Sequence, residues 1–134
     1  DEVGLADVIR ASMEAICFAV RANIEQLERV SRKEAGAVKI CGGQAKSEYW
    51  LQMQADVLGR PLVVSSSQES TAFGAAIAVA YGTGEYDSLT AAASALSGGW
   101  EVQPDAKNSS EYQQPYEEWL RRYERWSAMR SEGS

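Results

Sequence analysis

The chain has 134 residues, 45% of them hydrophobic and 24% charged, with 3 prolines. That is one ordinary domain's worth of sequence; it excludes intrinsic disorder, collagen-like repeats and low complexity, and it can bury a core without disulfides or metals. The net charge of -6, spread evenly along the chain, argues against nucleic-acid and anionic-lipid partners, and no apolar run reaches the length of a bilayer span.

Residues 4–33 have no proline and no glycine after Gly4. Leu5, Val8, Ile9, Met13, Ile16, Cys17, Val20, Ile24, Leu27 and Val30 recur at steps of three and four, which predicts one long amphipathic helix serving as core scaffold. Its other face, Arg10, Glu14, Arg21, Glu25, Glu28 and Arg32, reads as solvated surface. Ala35-Gly36 ends it, and the alternating, β-branched residues 37–41 predict a short strand. Gly42-Gly43 follow at once. A second helix starts near Ala45 to Ser47, buries Trp50, Met53, Val57 and Leu58, and stops at Gly59 before Pro61. Residues 61–64 predict a second strand, and Ser65-Ser66-Ser67 a loop.

Ser66 and Glu69 have the spacing of a capping box for a third helix with body 71–80 and Gly82 just past its end. The order α-β-α-β-α is an α/β arrangement. Ser88 caps a short helix that ends near Leu96 and is closed by Gly98-Gly99. Residues 102–114 read as polar and irregular, with Pro115 at a first helical position. Tyr116, Trp119, Leu120, Tyr123 and Trp126 then form an aromatic stripe, and 130–134 read as a disordered tail.

With no histidine, nucleophiles that depend on a Ser-His-Asp or Cys-His pair are closed. Cys17 and Cys41 both read as buried thiols of a reducing compartment, and no zinc spacing is present. The chemically informative segment is strand, Gly42-Gly43, helix. Adjacent glycines let backbone N–H groups approach an anion, and the positive end of the helix dipole adds attraction. The pattern is neither the dinucleotide fingerprint nor a P-loop. By spacing alone it fits a tight turn as well as an anion cradle.

Cys41-Gly42-Gly43-Gln44-Ala45-Lys46-Ser47, then Trp50, Gln52 and Gln54, then Ala55-Asp56-Val57-Leu58-Gly59-Arg60-Pro61, resembles the signature of the FGGY carbohydrate kinases, most of all their xylulokinase-like members. Glu69 with residues 71–76 resembles the family's next block, with Phe73 where leucine is usual. The long first helix and the closing Pro104-Asp105, Tyr112 and Tyr116 extend the likeness over most of the chain.

The resemblance implies the last part of an actin-like, ribonuclease-H-like ATPase domain over 1–129, helix-rich with short strands. It implies ATP and Mg²⁺ as cofactors, transfer of the γ-phosphoryl to a sugar or polyol hydroxyl, and a cytoplasmic setting. Gly42 and Gly43 would line the phosphates and ribose, and Gln44, Ser47 and Glu48 would face the adenosine. The family's general base and sugar site lie upstream of the matched region, so no catalytic residue falls here and the piece alone should be inactive. Asp56 reads as a structural acceptor and Glu69 as a helix cap. Asp1 opens the chain without an initiator Met or a leader pattern, which reads as an excised or processed piece. The runner-up is a non-catalytic binding module that keeps the fold, with the aromatic stripe as a docking face; a homo-oligomer is compatible with either.

Overall fold

Helix α2, Glu48–Leu58, is the centre of the architecture: from Trp50 to Leu58 every residue but Gln52 is buried. In this computed structural model, which describes residues 3–66 and 69–131 apart from the side chains of Gln44, Ser70 and Ser131, α2 lies between two layers. One layer is α1, Leu5–Ser31, with α5, Ala106–Ser131. The other is a three-stranded sheet of β1, Val38–Ile40, β2, Leu62–Ser65, and β3, Gly99–Val102. Trp50, Met53 and Val57 of α2 pack on Cys17 and Phe18 of α1 and Tyr116 of α5. Leu51, Ala55 and Leu58 pack on Leu62 and Val64 of β2. The remaining helices are α3, Ser70–Gly82, and α4, Leu89–Leu96, the latter capped by Ser88 Oγ, which accepts from Ala91 N–H at 3.0 Å as its spacing predicts.

The sheet order is β1-β2-β3. β1 and β2 run parallel with Val38 opposite Leu62 and Ile40 opposite Val64, the pairing that a strand–helix–strand unit produces. β3 returns antiparallel, Leu62 opposite Val102 and Ser65 opposite Gly99.

Several expectations are corrected. Gly98-Gly99 do not merely close a helix: Gly99 opens β3, and Ser66 N–H donates to Gly98 O at 2.9 Å. Glu69 sits at the N-cap position of α3 without a side-chain cap bond, so the Ser66–Glu69 capping box does not form. Ser66 instead continues the β2–β3 pairing, while Ser67 lies outside the described residues. α5 starts nine residues before Pro115, at Ala106, because Asp105 Oδ1 accepts from Asn108 N–H at 2.9 Å and caps it; Pro115 is inside the helix. Arg130 and Ser131 belong to α5 and not to a tail, and residues 132–134 lie outside the described set. Cys17 is buried, and burial with nearby Glu14 pushes its thiol up to about 12, but Cys41 is exposed, since the chain turns outward once β1 ends at Ile40.

The stripe of α1 is only half covered. Met13, Val20 and Ile24 join the two cores, whereas Leu5, Val8, Ile9, Ile16, Leu27 and Val30 are exposed. Its polar face is not simply solvated either. The Arg21 guanidinium donates to Glu25 at 2.9 Å, to Val57 O at 3.1 Å and to Gln113 at 2.8 Å, and lies 4.0 Å over the Tyr116 ring. Tyr116 donates to Glu25 at 2.6 Å; burial, then that bond, pushes its phenol well above the ordinary range. The aromatic stripe of α5 divides: Tyr116 and Trp119 pack on Phe18, while Tyr123 and Trp126 are 48% and 51% exposed and continue a stack along the helix.

Glu28 also leaves the solvated face. Arg60 donates to it at 2.6 Å and to Ala35 O at 2.8 Å, and Ala35 N–H donates to Glu28 at 2.7 Å, which locks the end of α1 to the start of β2. The Arg60 bond, then the Ala35 bond, hold the Glu28 carboxyl below its ordinary value. A carboxyl lowered on folding stabilises the fold above its unfolded value, and that contribution fades as pH falls through the folded one. Melts of the native chain and Glu28→Gln should therefore differ most above the ordinary glutamate value of 4.5 and converge in more acid solution. A difference that grows on acidification would refute the ion pair as the cause.

Candidate nucleotide site

The site begins where β1 runs out. Ile40 is the last paired residue, Cys41 is exposed, and Gly42 takes φ +88°, a left-handed conformation that a side chain disfavours. Gly42 O then accepts from Ala45 N–H at 3.1 Å, closing a 3₁₀ turn over Gly43–Lys46. Ala45 is buried against the sheet-side core and anchors the turn. Ser47 caps α2: its Oγ accepts from Trp50 N–H at 3.3 Å, and its carbonyl accepts from Leu51 N–H at 3.0 Å.

The five residues named for the nucleotide are thus brought onto one exposed strand-to-helix turn. Gly43, Ser47 and Glu48 are exposed and Gly42 is half-buried; the side chain of Gln44 lies outside the described set. A Cβ built on Gly42 or Gly43 meets nothing within 4 Å, so the space above the turn is open to a ligand. The left-handed residue is Gly42 alone of the pair. Ser47 Oγ is occupied as an acceptor but its hydroxyl can still donate. Glu48 sits in the first turn of α2, where its charge complements the helix dipole and disfavours a phosphate directly over it. The donors that the turn presents are the glycine backbone and exposed Lys46, and Glu48 presents a carboxylate acceptor.

Two grooves were not foreseen. A groove of about 420 Å³ adjoins the turn at Cys41 and runs between β2, α3 and β3, walled by Val63, Phe73 and Trp100. The alternation Trp100-Glu101-Val102 was the signal for its β3 wall. Asp56, foreseen as a structural acceptor, is buried and accepts from Gln52 Nε2 at 2.8 Å, Asp105 N–H at 2.7 Å and Asn108 Nδ2 at 3.0 Å. Those three bonds fill both acceptor sites of Oδ1 and one of Oδ2, which gives it a structural role. It lines a second, polar groove of about 450 Å³ beside Arg10, Glu14 and Tyr112, where the Arg10–Glu14 pair is already satisfied at 2.9 Å.

This order of elements is that of the C-terminal part of an actin-like, ribonuclease-H-like fold. It superposes on a gluconate kinase from Lactobacillus acidophilus with a TM-score of 0.82 at 21% identity, over 96% of this chain and 26% of that one. The sequence over residues 1–83 matches the FGGY family of carbohydrate kinases, C-terminal domain, and the chain belongs to that family. It is 40% identical over 81 residues to a xylulose kinase of Bacillus subtilis, covering 60% of this chain and 16% of the relative. It is 32% identical over 126 residues to an autoinducer-2 kinase of Salmonella paratyphi B, covering 92% of this chain and 24% of the relative. The chain thus spans a quarter or less of the length of these relatives.

Proposed function

We propose that this chain is the ATP-binding C-terminal part of a carbohydrate kinase, which transfers the γ-phosphoryl of ATP to a sugar or polyol hydroxyl. The observation that carries the reading is the open Gly42-Gly43 turn between β1 and α2, in a chain of this family. Gly42 and Gly43 offer backbone donors to the phosphates and ribose; Gln44, Ser47 and Glu48 face the adenosine. Mg²⁺ bound with the nucleotide phosphates would neutralise part of their charge. The chain's own part is to bind and orient, which lowers the barrier by positioning. The general base and the sugar contacts fall to polypeptide outside these residues, so no catalytic residue is assigned here. The reading includes a cytoplasmic setting, in keeping with the free thiols of Cys17 and Cys41. Among the described residues no helix is long and apolar enough to cross a membrane.

Adding Mg-ATP to the labelled chain should shift amide signals at Gly42 to Ser47. Gly43→Val should leave the melt nearly unchanged, because its Cβ meets open space, while weakening nucleotide binding by about tenfold or more, some 1.4 kcal/mol. Gly42→Val should weaken binding and also lower the melt, since valine strains the positive φ. Shifts confined to α5, or normal binding by Gly43→Val, would reduce the glycine pair to a turn.

A further inference from the structure

Residues 41–48 carry two charges, Lys46 and Glu48. The chain as a whole stands at -6, so its general field repels a polyphosphate. Lys46 is the local cation that offsets Glu48 at the turn. It is exposed and joins no ion pair or side-chain hydrogen bond among the described residues. The turn sets its direction. Gly43–Lys46 is a 3₁₀ helix, which has three residues per turn, so residues three apart lie on one edge. Lys46 therefore stands on the edge of Gly43, one turn further on, a rise of about 6 Å. Ala45 points away from that edge into the sheet-side core and fixes the rotation of the turn about its axis. The Gly43 edge is open, since a Cβ there meets nothing within 4 Å. The first amide bonded within the turn is that of Ala45, to Gly42 O at 3.1 Å, so the Gly43 N–H lies ahead of the bonded ladder as a donor.

We propose that Lys46 is the residue by which this turn selects nucleotides for their phosphate content: its ammonium folds back along the shared edge over Gly43 and offsets the charge of phosphates held at the glycine backbone. A backbone N–H donates to a phosphate, hydroxyl or carbonyl oxygen alike, whereas the attraction of an ammonium grows with the charge of the anion. The lysine is a point charge on a flexible four-carbon stem, which can span the rise between the two residues and follow a phosphate chain of either length. It adds nothing for an uncharged nucleoside. Lys46 is thus a specificity residue: it makes and breaks no bond of the substrate. The inference rests on the nucleotide reading of the turn and adds to it a discrimination between nucleoside and nucleotide that the glycine pair does not supply.

The test titrates the native chain, Lys46→Gln and Lys46→Arg with adenosine, ADP, ATP and inorganic tripolyphosphate, each in Mg²⁺, and follows amide shifts and heat. Lys46→Gln should weaken ADP, ATP and tripolyphosphate by about tenfold and leave adenosine unchanged. Lys46→Arg keeps the charge and should stay within about threefold of the native chain. The loss in Lys46→Gln should shrink in about 0.5 M salt, where exposed charges are screened. Both variants should melt like the native chain, because the side chain is exposed and unpaired. Equal polyphosphate affinity in the native chain and Lys46→Gln overturns the proposal. So does an equal loss for adenosine, which would make Lys46 a support of the turn and not a phosphate contact. Adenosine shifts at Gly42 to Ser47 without any effect of Lys46 would remove the proposal and keep the nucleotide reading. Tripolyphosphate bound through Lys46 without adenosine shifts would keep the phosphate contact and remove the adenosine reading, and a native chain that binds none of the four removes both.

Discussion

Gly99→Ala is expected to detach β3 from β2 and to lower the unfolding free energy by about 3 kcal/mol, at the upper end of overpacking effects. A Cβ at Gly99 falls 2.1 Å from the carbonyl oxygen of Val64 and 3.1 Å from its carbonyl carbon. Both are backbone atoms of the central strand, which cannot swing aside as a side chain could. The register that places Gly99 opposite Ser65 and Trp100 opposite Val64 would have to slip or open. Gly98→Ala is the matched control: its Cβ meets Ser66 Oγ at 2.8 Å, the end of a side chain that can rotate away. Urea unfolding followed by circular dichroism should separate the two variants by about 2 kcal/mol or more. Equal midpoints would mean that β3 is not held as described.

Asp56→Ala should cost a similar amount, about 3 kcal/mol, because it deletes three part-buried hydrogen bonds to one charged acceptor at once. Asp105 N–H and Asn108 Nδ2 both point at this carboxylate, and Gln52 completes the set. Those bonds tie α2 to the residue that caps α5. The loss should therefore be local first: amides 108–113 should exchange faster with solvent, out of proportion to those of α1. Asp56→Asn keeps one acceptor for Asp105 N–H but turns an amide towards Asn108, so it should fall between. An alanine variant that melts like the native chain would show that the three bonds contribute nothing net.

Asp56 also marks what could be read from residue order. Within Ala55-Asp56-Val57-Leu58-Gly59-Arg60-Pro61 the periodicity, the glycine stop and the proline placed α2, its end and β2. Gly59 indeed ends α2 in a left-handed conformation, its N–H donating to Ala55 O at 2.8 Å. The Gly42-Gly43 turn was legible in the same way. Tight turns and helix ends are determined over a few neighbouring residues, and their signals are local.

The remaining features depend on partners far away in the chain. β3 has only four residues, Gly99–Val102, and exists because β2 presents a free edge some 35 residues earlier. The start of α5 follows from a cap whose backbone is held by Asp56 across the molecule. Arg60 is drawn to Glu28, and Arg21 to Gln113 and Tyr116, by a packing of α1 that no local rule contains. In the candidate site, composition nominated the glycines, but which of them takes the positive φ was decided by where β1 ends and Ala45 is anchored. The sequence by itself determined short-range structure, because backbone sterics and helical periodicity act within a turn or two. Burial of Cys17 and exposure of Cys41, α3 and half of α1 were decided by tertiary structure, because an apolar stripe states a need for cover and only the packed elements say whether the cover is present.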